Sequence, residues 1–209
     1  GSKYRFLFIV NSGQYDSTRE RFNVFANRDE KDLFLYSEGR DQERIFRTSY
    51  TWDPLINHGL ELGVERAETS RDSDLRLGMD GIGTPSVNHG NLIPIPIDNS
   101  DSTVEEMRYE NFLVHNWRVS NKISVESSLT YETSTIKQTG DVFNERDFDF
   151  LRPKVDYRYN ITQSTQLRAT VEKKVSQLSF RDFSASSDSQ DDDQNTQAGN
   201  PEIAQEQSW

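Results

Sequence analysis

None of the 209 residues is a cysteine. Disulfides, thiolate metal centres and cysteine nucleophiles are therefore excluded. The absence fixes no compartment, since envelope and cytosolic proteins alike do without the residue. Long apolar runs are missing too. The longest is "FLFIV" at 6–10, far short of the roughly 18 residues of a membrane helix. That leaves a membrane β-barrel open, because a barrel strand needs only alternation over about 10 residues. Positive charge is scarce: 24 Lys and Arg stand against 35 Asp and Glu, a net charge of −11. Such a balance disfavours nucleic acid as a partner, whose phosphates need a basic surface, and electrostatic attachment to anionic lipid. Histidines number three, His58, His89 and His115, dispersed without zinc-ligand spacing. His58 beside a turn and His115 within a strand read as ordinary polar positions. Neither a G-x-S-x-G elbow nor a phosphate-cradling glycine loop occurs. With 35 acids, no catalytic carboxylate pair can be singled out. Nothing points to an enzyme, and no cofactor is called for.

What is present is alternation. Only 33% of residues are hydrophobic and 28% are charged, whereas a typical globular chain is nearer half apolar. Aromatics reach 11%, which separates the chain from disordered sequences. Apolar residues recur with a period of two. Leu60, Leu62 and Val64 share one face, opposed by Glu61, Gly63 and Glu65. After a polar stretch, Leu75, Leu77 and Met79 read as a continuation of the same phase. Ile123, Val125, Leu129 and Tyr131, then Val155, Tyr157 and Tyr159, then Leu167, Ala169, Val171 and Val175 repeat the pattern. The opposite face carries Lys122, Glu126, Lys154, Asp156, Arg158, Arg168, Glu172 and Lys174, charges of both signs. Helical periodicity is absent. The fold class is all-β, an antiparallel meander.

The pattern predicts nine strands, near 3–10, 19–26, 32–38, 43–52, 58–79, 106–119, 122–134, 148–159 and 165–177. Connections at 27–31, 53–57, 120–121 and 160–164 are short, those at 11–18, 80–105, 135–147 and 178–205 are longer, and only the one near 39–42 breaks the alternation. Sorting of this kind is what an outer-membrane barrel shows, with periplasmic turns at one end and extracellular loops at the other. Two loops have distinct character. In "IPIPI" (93–97) the prolines cannot donate to a ladder, which predicts an extended or edge segment. The stretch 184–200 is acidic and of low complexity. Its Asp188, Asp191, Asp192 and Asp193 are weak candidates for calcium, since hard cations take clustered carboxylates. EF-hand spacing is absent, and a solvated acidic loop is the plainer reading.

The closing phrase "GNPEIAQEQSW" (199–209) resembles the Asn-Pro-x-Leu-x-x-Glu-x-Ser phrase found late in the barrels of TonB-dependent outer-membrane receptors. Its matching positions are Asn200, Pro201, Glu202, Ile203, Glu206 and Ser208. Gln205 stands where many members have proline. The strand–turn–strand segment 151–186 resembles what precedes the phrase in one branch of those receptors. The resemblance is convincing over 151–209 and compatible over 3–150. Pro201 fixes one dihedral and extends Asn200, so the phrase can lead a loop back into a strand starting near Gln207.

The resemblance implies a transmembrane β-barrel of the bacterial outer membrane. It implies a receptor that imports a scarce nutrient such as a metal chelate, a cobalamin or a glycan. Ligand is expected at loops 80–105, 135–147 and 178–205, with TonB reached through a plug domain absent from this chain. Residues 1–2 read as a cloning scar and 3–209 as a partial barrel lacking the plug and the last strands. The rival from another class is a soluble secreted β-sandwich binding glycan or protein. The two differ in the apolar face, which meets lipid in a barrel and closes on itself in a sandwich.

Overall fold

A computed structural model describes residues 1–188, 195–197, 199–200 and 202–209. Strands β1 (Lys3–Val24), β2 (Asp29–Leu55), β3 (His58–Met79), β4 (Ile93–Ile95), β5 (Asp101–Arg118), β6 (Ile123–Gly140), β7 (Asn144–Asn160) and β8 (Gln166–Glu172) form one eight-stranded sheet. The order is β1-β2-β3-β5-β6-β7-β8, antiparallel throughout, with β4 paired to the upper end of β3. The "IPIPI" segment is thus the edge piece expected of it: Pro94 faces Gly78 beyond the point where β5 begins. Further along, β9 (Lys174–Val175), β10 (Ser186–Asp188), β11 (Asn195–Gln197) and β12 (Gln207–Ser208) are short; β10 pairs with β11 and β12 with β9. A strand at Gln207 was expected and is present.

The strands are fewer and longer than the alternation predicts. The segments 3–10 and 19–26 are two halves of β1, and 32–38 and 43–52 are two halves of β2. No loop exists at 11–18 or 39–42: Ser12 to Glu20 run in unbroken register with Gln42 to Phe34. Nor is 135–147 a long loop, because β6 runs to Gly140 and β7 starts at Asn144. The connections 80–100, 141–143 and 176–206 lie at one end of the sheet and the turns 56–57, 119–122 and 161–165 at the other. The hairpin tip at 25–28 joins the loop end, opposite to the placement its shortness suggests.

The reason is a reversal of polarity inside single strands. In β3, Leu60, Leu62 and Val64 occupy even positions, whereas buried Leu75 and Leu77 occupy odd ones. No bulge shifts the register of β3 between them. The phase therefore does not continue, as the sequence suggested; the apolar side chains change face. In β2, Phe46 lies on the same face as Leu62, and buried Leu33 and Leu35 on the other. β5 repeats this with Leu113 and Val104, and β6 with Leu129 and Ile136. Between the two regimes both faces are polar, which period-two reading takes for a loop.

One face is concave. Tyr15 on β1 accepts a hydrogen bond from Arg71 on β3 at 2.9 Å, across the intervening β2. Arg152 on β7 reaches Glu110 on β5 at 3.0 Å, across β6. Gly39 and Gly63 permit this crowding, since a Cβ at either would overlap the rings of Tyr15 and Phe112. At the loop end the concave face is covered. Phe183, 2% exposed, packs on Val104 and Ile136, with Phe148, Leu178, Phe180 and Ile203 around it. Leu33, Leu35, Leu75 and Leu77 form a second cluster, with Ile95, Ile97 and Ala185 against it.

Candidate functional site

The convex face carries an apolar belt at the short-turn end. Phe6 and Phe8 are each 70% exposed, and Leu62, Val64, Leu113, Leu129, Val155, Leu167 and Val171 are exposed beside them. Cross-strand pairing puts these side chains in one band, for example Leu62 with Leu113 and Leu113 with Leu129. Rings crowd its lower rim: Tyr4 on Tyr50 at 4.5 Å, Tyr50 on Trp52 at 5.4 Å, and His58 on Trp117 at 5.6 Å. Tyr109 and Tyr131 mark the upper rim, beyond which Arg44, Arg66 and Glu68 begin. From Trp117 to Tyr109 a strand climbs about 27 Å at about 3.4 Å per residue. A tilt of about 40° reduces this to about 21 Å, close to the roughly 25 Å lipid band of a membrane barrel.

The concave wall behind that belt is charged. Arg47 lies 3.5 Å from Glu65, Arg108 is 3.4 Å from both Glu65 and Glu110, and Arg152 is 3.0 Å from Glu110 and 2.9 Å from Glu132. This ladder of alternating signs crosses five strands. Arg47 also lies over the ring of Phe112 at 4.1 Å. Nearer the short turns, Asp156 accepts hydrogen bonds from Arg158 at 2.7 Å, Arg168 at 2.6 Å and Thr170 at 2.8 Å. Glu61, Glu65, Arg168 and Glu172 thus face inward while Leu60, Leu62, Val64 and Val171 face outward. Removing Arg152 would strip the Glu132 carboxylate, only 4% exposed, of its direct ionic partner, whereas removing Glu132 would leave Arg152 still paired with Glu110.

Above the belt, the described residues of 176–206 fold inward as a strap across the concave face. Gln138 donates to Phe183 O at 3.1 Å and to Ser102 Oγ at 3.0 Å. Ala185 N donates to Asn99 O at 3.1 Å, and Asn99 Nδ2 to Gly199 O at 3.0 Å. Between strap and wall lies a polar cleft lined by Asp41, Arg71, Glu106, Arg108, Arg181 and Gln205. Near the hairpin tip at 25–28, hydrogen bonds from Arg21 hold the Asp32 carboxyl below the ordinary carboxylate range, against a smaller opposing effect of burial. The Tyr36 hydroxyl donates to Glu38 at 2.9 Å, which raises it above the usual phenol range.

The closing phrase stitches the strap to the wall. Asn200 N donates to Asp182 O at 2.8 Å, and Asn200 Oδ1 accepts from Glu202 N at 2.9 Å. Arg146 donates to Ile203 O at 2.8 Å, Ser176 N to Glu206 O at 2.9 Å, and Ser208 pairs with Lys174. Pro201 lies outside the described residues, as do Asp191, Asp192 and Asp193. Asp188 belongs to β10. Among the described residues no group of three or more His, Asp or Glu side chains is arranged to hold a metal. Loops 80–100 and 176–206 meet through Asn99, and Gln138 brings the end of β6 to the same place. The charge ladder went unseen in the sequence because Glu110, Glu132 and Arg152 come from three strands, although their parity already placed them on the polar face. His58 and His115, read as unrelated positions, are in contact: His58 Nδ1 is 2.9 Å from His115 Nε2.

The family model for the TonB-dependent receptor-like β-barrel matches residues 2–209. The chain belongs to the TonB-dependent receptor β-barrel family. Among solved structures it resembles the ferric citrate transporter FecA in its unliganded form, with a TM-score of 0.52 at 15% identity. That similarity covers 81% of this chain and 25% of FecA, so the chain spans about a quarter of that protein's length. No curated protein matches it in sequence. The receptor barrels of this family stand in the outer membrane of Gram-negative bacteria and are transporters rather than enzymes. A soluble sandwich is ruled out by the same geometry: the main sheet is single, and its belt is exposed instead of enclosed.

Proposed function

We propose that this chain is one portion of a receptor wall through which a scarce nutrient, such as a metal chelate, a cobalamin or a glycan, is imported at the expense of TonB-transmitted energy. In this reading the belt of Phe6, Leu62, Leu113 and Val155 meets lipid and the Arg47–Glu132 ladder lines the lumen. A plug precedes the chain in the intact protein, and further strands follow. Ligand is received at the loop end, where 80–100 and 176–206 meet above the wall. The observation that carries the proposal is the opposition of an apolar convex belt of bilayer height to a concave wall of paired charges. A polar, charge-lined interior behind an apolar outer band is the arrangement of a membrane barrel, and where such a lumen is open it passes polar solutes. The experiment expresses the intact receptor in an outer membrane and measures uptake of ferric chelates, cobalamin and oligosaccharides with and without TonB. Uptake of one of them, lost without TonB, is expected. A receptor that leaves all three outside, or imports without TonB, would sink the reading.

A further inference from the structure

Beside the polar cleft, the strap and the first three strands enclose a second pocket of about 410 Å3. Arg71 and Arg181 line both. On the concave side its other polar side chains are hydroxyls: Tyr15, Ser17, Ser37 and Ser73 from the wall and Ser184 from the strap. Leu35 and Leu75 stand beside them. The carboxylates at its margin, Glu38 and Asp74, belong to the convex face, where Tyr36 and Arg76 engage them. Arg71, only 5% exposed, donates to Asp41 at 2.6 Å and to Tyr15 at 2.9 Å. Both bonds use its terminal nitrogens, and its buried Nε–H has no acceptor among the described residues. Ser73 Oγ and Ser184 Oγ are buried without a partner in the same way. Arg181, exposed on the strap, has no ion pair among the described residues.

We infer that this pocket receives a sugar acid, a ring that carries one carboxylate among hydroxyls. The inference rests on the reading of the chain as the wall of an importing receptor, and it names the nutrient class. Charge decides for an anion. Asp41 balances Arg71, so Arg181 contributes one uncompensated positive charge, which a monoanion matches. A dianion would bring a charge that the pocket does not compensate. Guanidinium forks suit a carboxylate, and one bound here supplies the acceptor that Arg71 Nε lacks. That removes the cost of a buried donor left unmade. Hydroxyls both give and accept hydrogen bonds, so a lining rich in them answers a hydroxylated ring. Leu35 and Leu75 offer apolar surface to its C–H groups. The volume is that of a small-molecule site. A metal-loaded hydroxy acid fits less well, because the metal occupies the carboxylate and hydroxyl oxygens that this lining meets.

The test titrates digalacturonate, dimannuronate and diglucuronate into the detergent-solubilised intact receptor by calorimetry, each beside its neutral disaccharide. At least one acid is expected to bind more than about tenfold tighter than its neutral counterpart. The same acid should slow amide exchange at 181–185. R181Q should lower that affinity about tenfold and remove the preference for the acid. R71K, which keeps the charge and loses the fork, should weaken binding as well. The unaltered receptor decides even if a variant fails to fold. Equal affinity for acids and neutral sugars, no binding of any acid, or tighter binding of ferric malate or inorganic phosphate overturns the inference. So does an R181Q receptor that keeps the preference. Import of a ferric chelate or of cobalamin would sink the sugar acid and leave the transport reading standing. A sugar acid bound by a receptor that imports without TonB would do the reverse.

Discussion

The lower and upper halves of the same strands obey opposite rules. Below, Leu62, Leu113 and Leu129 point out and Glu65, Glu110 and Glu132 point in. Above, Leu75, Val104 and Ile136 point in, under the strap, while Asp74, Glu105 and Lys137 point out. Nothing in the backbone changes between the halves; what changes is the medium on each side. In the proposed receptor wall the lower convex face meets lipid, where Arg or Lys is costly, and the lower concave face meets water. Higher up the convex face meets water, and the concave face is sealed by Phe183 and its neighbours. One strand serves both regimes by moving its apolar residues from even to odd positions in β3, or from odd to even in β5.

The contrast can be broken at either end. The largest effect is expected from Phe183→Ala, which empties the best-buried contact of the strap, where Val104 has no exposed surface. Loss of a buried Phe costs about 3–5 kcal/mol. Amide exchange should rise across 176–188 and 202–206 while the belt strands keep their protection. Faster exchange in the belt as well would mean the halves are not separable. Val64→Arg comes next, at about 2–4 kcal/mol on a lipid-facing position. Urea unfolding in lipid vesicles should show that loss, whereas Ser70→Arg, on the same face of β3 above the belt, should change little. Equal costs would erase the boundary drawn at Arg66.

Smaller effects sharpen it. A Cβ at Gly199 would overlap the Phe183 carbonyl, so Gly199→Ala should loosen the strap by about 1–3 kcal/mol, as overpacking does. Exchange at Ala185 and Asn200 reads this out, and unchanged protection would show that the strap yields without cost. The least effect is expected at Asp32. Its depressed pKa means the Arg21 contact stabilises above the unfolded carboxylate pKa and is lost as pH falls through the lower folded value. The pair is partly exposed and screened, so only a slight acid-side loss should appear. Asp32→Asn should flatten it.

Much of this was legible in the residues. Period two over 58–64, 123–131, 155–159 and 167–171 identified strands and the face that carries the belt, because lipid on one side and water on the other leave alternation behind. The turns at 53–57, 120–121 and 160–164 were legible for the same reason: the belt ends close to them. Asn200 and its neighbours pointed to the family. The upper halves were not legible, since Ser12 to Glu20 face water on the convex side and meet only sparse packing on the other, so no period survives.

By itself, then, the sequence determined the strand class, the orientation of the belt, and the short-turn end, all of which follow from local alternation against lipid. Tertiary structure alone decided the length of β1 and β2, the placement of the 25–28 hairpin, the reversal of faces, the Arg47–Glu132 ladder and the His58–His115 contact. Each of these depends on which strands become neighbours and on what covers the concave side. Pairing brings together residues such as His58 and His115, and no period in one strand records its partner in another.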